Sequence, residues 1–131
     1  MFTIDQITNS HSKVESGADF PYYIQELIAL GVHHYQIFVV DGHAIYEGRD
    51  GHTIISPAKY PEINISDESD AAKFTQYLKT HQLGETDYLV FCGHAADTGV
   101  YKWIVDTKNL TCSYYDKFGN ILLTEMIPDS V

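Results

Sequence analysis

A pattern of turn glycines and core aromatics recurs in this chain at a spacing of 68 positions, and it constrains the fold more than any single motif. Gly31, Val32, Tyr46 and Gly51 return as Gly99, Val100, Tyr114 and Gly119, while Tyr35, Arg49 and Ile54 return in kind as Trp103, Lys117 and Leu122. Each copy follows a stretch of helical period and reads as strand, turn, strand, turn, strand. A supersecondary unit that repeats predicts two halves sharing one core. The expectation is therefore a single α+β domain of two pseudo-repeated ααβββ halves, with antiparallel strands packed against helices. The halves span about 1–56 and about 66–131, joined by a linker at about 57–65.

The length suits one core. A chain of 131 residues buries roughly two-thirds of its unfolded surface on folding. Its 44% hydrophobic content and ten tyrosines supply that core, which argues against disorder. The net charge of -10 opposes binding to nucleic-acid phosphate or to an anionic membrane, so neither is expected as a partner. Met1 to Lys13 has no basic start followed by an apolar run, and no segment approaches spanning length, so a cytoplasmic location is expected. Cys92 and Cys112 are then free thiols. The acceptor triplets Asn64–Ser66 and Asn109–Thr111 carry no chemistry without secretion.

Local signals place the elements. Thr3 and Gln6 form a capping box for a first helix that ends near Val14 to Gly17. Asp19, Pro21 in the first turn and a terminal Gly31 frame a second helix, whose stripe is Tyr23, Leu27 and Leu30 with Ile24 and Ile28 beside it. From Val32 to Ser56 the period becomes alternating, with hairpin turns at Asp41-Gly42 and Asp50-Gly51. A two-residue first turn sets Val40 opposite His43 and Ile37 opposite Tyr46. His33, Tyr35, Ile37, Val39, Ala44 and Tyr46 then share a buried face. His34, Gln36, Phe38, His43, Ile45 and Glu47 share the other, which suits a partner or part of the second half. A third helix is expected from near Ser66 or Asp67 to about Gln82, its N-terminus favoured by Asp67, Glu68 and Asp70 and its stripe Phe74, Tyr77 and Leu78, and a fourth that begins after Thr86 and stops at Gly99. Strands follow at Val100–Asp106, Leu110–Asp116 and Ile121–Ile127, with turns at Lys108-Asn109 and Phe118-Gly119.

No chemical motif stands out. Asp-Gly-His occurs at 41–43 and 50–52, but His43 and His52 lie at opposite ends of one strand, about 17 Å apart at strand rise, and His33 and His34 point to opposite faces. No metal site or cofactor is expected. Cys92 and His94, two apart on a helix, diverge by about 200° and cannot act as a pair. Cys92 shares a stripe with Tyr88 and Ala95, and Cys112 alternates with Leu110 and Tyr114, so both read as core. The G-x-x-G at Gly48–Gly51 joins strands, unlike the helix-joining loop that clamps nucleic acid. No nucleophile elbow, phosphate loop or dinucleotide fingerprint is present. Catalytic and metal residues are therefore assigned as none, and an enzymatic role has no positive support. Trp103 is expected as a core anchor facing Tyr114. One of each adjacent pair, Tyr22 or Tyr23 and Tyr114 or Tyr115, must be exposed, which suits an interface.

The strings SGADFPYYI, VDGHAIYEGRDGHTIISPAKYP, TDYLVFCGHAA and VDTKNLTCSYYDKFGN resemble the YbcV-like domain of unknown function, found in enterobacteria and phage-related genomes and sometimes labelled phage envelope protein. The resemblance covers nearly the whole chain and implies no reaction, ligand or catalytic residue. The leading expectation is a non-enzymatic protein that binds a protein partner or itself. One alternative is an enzyme or small-ligand binder with a cleft between the halves. Another is an acidic mimic of nucleic acid, which the dispersal of the carboxylates among lysines disfavours.

Overall fold

The computed structural model describes residues 2–14 and 19–127. Helix α1 (Ile4–His11) is opened by the Thr3–Gln6 capping box, in which each side chain bonds the other residue's backbone N–H. It stops at His11, earlier than the sequence suggests, with Ser12 as its cap. Of the expected end at Val14 to Gly17, Gly17 lies outside the described residues. Helix α2 (Phe20–Leu30) has Pro21 in its first turn and ends at Gly31 with φ 96°. Asp19 holds the N-cap position, but its side chain makes no capping bond.

Strands β1 (Val32–Phe38), β2 (Ala44–Gly48) and β3 (Thr53–Ser56) follow, then α3 (Ala71–Gln82), α4 (Tyr88–Asp97), β4 (Lys102–Asp106), β5 (Thr111–Tyr115) and β6 (Ile121–Met126). All six strands form one antiparallel sheet in the order β3-β2-β1-β4-β5-β6, so β1 and β4 meet at its centre. Gln36 pairs with Ile104 in the middle of that seam. Hydrogen bonds recur at the sequence spacing. Gly48 N–H donates to the His52 carbonyl (2.8 Å), and 68 positions on Asp116 N–H donates to that of Asn120 (2.9 Å). Gly51 and Gly119 occupy the β2–β3 and β5–β6 turns with φ 76° and 86°, as the turn spacing predicts.

Three sequence expectations need correction. Tyr35, not Ile37, faces Tyr46, and Ile37 faces Ala44. The cause is Val39, which is fully buried and whose N–H bonds the Tyr101 carbonyl at 2.9 Å. Tertiary contact thus widens the turn to a loop over Val39–Gly42, closed by Phe38 N–H on the His43 carbonyl. The shift is two positions, so every residue keeps its face. His33 is the exception, because a bulge between Val32 and His34 turns Val32 inward in its place. Helix α3 begins at Ala71 with Asp70 as N-cap, its carboxylate accepting Lys73 N–H, whereas Asp67 lies outside the helix and pairs with Lys117.

The four helices pack on one face of the sheet. Tyr23 of α2 meets Tyr35, Phe74 of α3 meets Tyr114, and Phe91 of α4 meets Trp103, all through inward residues of the strands. The second face, bearing Gln36, Ile45, Ile55, Ile104 and Tyr115, has no helix over it. That is the arrangement open to antiparallel sheets, which tolerate one uncovered side.

Candidate functional site

Two regions concentrate features that core packing alone does not require. The first is the uncovered sheet face. Across it, His34 pairs with Glu47, and Lys102 donates to the Gln36 side chain (3.0 Å) while its ammonium lies 5.7 Å from the Phe38 and Tyr115 ring centres. Phe38 stacks on His43 at 4.4 Å, and the His43 ring in turn meets Asp41 at 2.5 Å. The six residues read from sequence as a shared outer face do lie together. They continue into β4 and β5 and are not covered by the second half.

The second region is the seam between the halves, where the sequence reading allowed a cleft. Buried side chains fill it: Tyr35 and Ile37 of β1 pair with Val105 and Trp103 of β4, and the buried Thr107 hydroxyl donates to the Val32 and His33 carbonyls. Within the halves, Tyr35 stacks on Tyr46 at 5.1 Å and Tyr88 meets Trp103 edge-on at 6.5 Å, while the Tyr60 hydroxyl donates to the Val39 carbonyl. Cys92 is fully buried beside the Tyr60 and Tyr88 hydroxyls, and burial pushes its thiol above the ordinary range. Burial pushes the Cys112 thiol up to about 12. Since the thiolate is the reactive form, these two buried thiols are expected to be unreactive in the folded state. We expect no labelling by a water-soluble disulfide reagent at pH 8 in native protein, and reaction of both thiols once urea is added. Rapid labelling of either thiol in native protein refutes the assignment.

His94 points away from Cys92 and stacks on Tyr77 at 3.9 Å, so the two do not pair. His52 bonds the Phe2 carbonyl at 2.8 Å, and His81 stacks on Phe91 at 4.4 Å. Among the described residues no three His, Cys, Asp or Glu side chains converge as metal ligands. No helix among them is long and apolar enough to cross a membrane.

One feature away from this seam, beside α1 and the edge strand β3, escaped the sequence reading. Thr8 and His11 of α1, Tyr46, Ser56 and Lys59 line a hollow of about 90 Å³ floored by Ile4 and Ile7. Lys59 belongs to the Pro57–Pro61 stretch that reads as linker. Its backbone is held by a bond from its N–H to the Asp41 carbonyl (2.8 Å), and its ammonium lies 5.7 Å from the Tyr88 ring centre. Desolvation there lowers the amine's pKa, and desolvation followed by the nearby Lys59 charge lowers that of His11.

Helices on one side of a six-stranded antiparallel sheet define a two-layer α+β protein. The chain belongs to the family described as protein of unknown function (DUF1398), whose model matches residues 8–126. No curated protein matches it.

Proposed function

We propose that the protein acts by binding rather than by catalysis, and that its open sheet face docks on a second copy of the same chain. The distribution of charge carries this reading. Only three strand residues are carboxylates: Glu47, Asp106 and Glu125. Glu125 lies on the helix side, opposite Cys112, and is bonded by Gln82. Glu47 is paired with His34, and Asp106 accepts the Lys108 and Asn109 backbone N–H groups. In a chain of net charge -10, the other carboxylates of the described residues thus lie in helices and loops, and one face is left close to neutral. That face costs least to dehydrate, and Phe38, Ile45, Ile104 and Tyr115 give it the charge-poor, aromatic composition of an interface centre. Ile55 and Met126 stand at its two sides with 66% and 72% of their surface exposed.

Self-pairing suits this charge pattern. Two sheets packed face to face lie about 10 Å apart, so the helix layers of both copies point outward, beyond the Debye length of about 8 Å at physiological salt. An isologous contact also needs only one self-complementary surface. Sedimentation equilibrium across the micromolar range tests the reading. A species of twice the 14.8 kDa chain mass is expected, reverting to monomer in the double variant Ile55→Lys, Ile104→Lys. A monomer at every concentration, or a dimer indifferent to both lysines, overturns it.

A further inference from the structure

We propose that the hollow beside α1 is a binding site for a small oxyanion, a carboxylate or phosphate group, held between the Lys59 ammonium and the His11 imidazole. The hollow measures about 90 Å³, about three times the share of liquid volume taken by one water. That space admits one such headgroup, with the rest of a ligand extending into solvent.

The charge balance points to an anion. The chain carries 18 carboxylates against eight lysines and arginines, so a basic side chain has carboxylates in excess available to it. Among the described residues Lys13 pairs with Glu26 and Lys117 with Asp67, while Lys59, like most of the other cations, pairs with no carboxylate; what distinguishes Lys59 is that it lines a hollow together with a second base, His11. The pKa of His11 is lowered by desolvation and then by the Lys59 charge. Two basic groups lining one hollow, both partly stripped of water, form an arrangement that an anion relieves, and among the described residues no carboxylate lines it. The other polar wall groups suit the same occupant. Thr8 and Ser56 supply hydroxyls that donate to oxygen, and charge-assisted bonds from nitrogen to such an oxygen are about twice as strong as neutral ones.

Local structure fixes these groups. Thr8 and His11 are three apart on α1 and so share a helix face. Ser56 ends β3 and is buried, which aims it inward. The bond from Lys59 N–H to the Asp41 carbonyl anchors the chain three residues further on, and the lysine ammonium lies over the Tyr88 ring. None of this lies on the open sheet face, so the site stands or falls independently of self-association.

The test is titration of the ¹⁵N-labelled full chain with inorganic phosphate and, separately, with acetate. Sodium chloride at matched ionic strength is the control. Saturable shifts of the Thr8, His11, Ser56 and Lys59 amides are expected with at least one oxyanion and not with chloride. Response to phosphate alone identifies a phosphate site, response to acetate alone a carboxylate site, and either supports the proposal. Lys59→Met, which keeps the apolar stem, is expected to weaken binding by about tenfold or more. His11→Asn serves as a second variant should the first disturb the spectrum, and Lys108→Met, an exposed lysine on a distant turn, leaves binding unchanged. Absence of saturable shifts with both oxyanions, the same shifts with chloride, or full affinity in folded Lys59→Met or His11→Asn overturns the proposal.

Discussion

Replacing Trp103 with alanine is expected to cost about 3–5 kcal/mol of stability, as large aromatic-to-alanine changes in cores do. The residue is 8% exposed and sits where three elements meet. Its ring centre lies 5.8 Å from those of Phe91 and Tyr114 and 6.5 Å from that of Tyr88, so truncation leaves a void walled by rigid rings from α4 and β5. Such walls collapse poorly, which places the cost toward the upper part of that range. For a domain whose whole stability is of order 5–15 kcal/mol, the variant is expected to be largely unfolded at elevated temperature. Because the chain has a single tryptophan, emission and acrylamide quenching report on this position directly. Native protein is expected to emit to the blue of free tryptophan and to resist quenching. Efficient quenching in the folded state refutes core burial.

The second large effect is expected at Gly99, and Gly31 provides its internal control. Both close helices of the same pair of positions in their halves, with φ of 85° and 96°. A side chain forced into left-handed backbone costs about 1 kcal/mol, and Gly31→Ala should cost only that, since its added methyl meets nothing within 4 Å. At Gly99 the same methyl falls 2.7 Å from the Glu68 carbonyl oxygen and 2.8 Å from the Ser69 Cα. Both are backbone atoms, and the strand of chain that holds them is pinned where Ser66 N–H bonds Ala96 and Asp70 N–H bonds Thr98. Gly99→Ala is therefore expected to cost about 3 kcal/mol, the backbone conformation plus overpacking. Urea midpoints for the two variants decide the matter. Equal shifts mean that the crossing of residues 66–70 over α4 does not constrain Gly99.

What was legible in the sequence was chemistry acting over a few residues. The Thr3–Gln6 box, the left-handed Gly31 and the register that sets Trp103 opposite Tyr114 all follow from neighbours in the chain. Where distant contacts intervene, local reading fails by a definite amount. Val39 is drawn into the core and onto Tyr101, and the first hairpin moves by two positions. The sequence places the start of α3 near Ser66 or Asp67, but the helix is capped at Asp70, whose N–H is tied to Thr98, while Asp67 is drawn to Lys117. The hollow around Lys59 was out of reach for a related reason. Its walls come from α1, β2, β3 and a stretch whose prolines read as mere connection. The signal that could have flagged it was a lysine isolated between two prolines in an acidic chain, which acquires meaning only when His11 is placed beside it.

The central seam between β1 and β4 has a kinetic consequence. Each outer hairpin joins residues close in sequence, such as Tyr35 with Tyr46, whereas the seam joins Tyr35 with Val105, 70 positions away. Closing the longer loop costs about 1.6 kcal/mol more chain entropy than closing the shorter, and it must be met before the seam's own contacts form. The two three-stranded meanders are therefore expected to assemble early and the strip around Gln36 and Ile104 to zip late. The speed of folding is then set by the middle of the sheet, while its outer strands govern how readily the finished molecule frays.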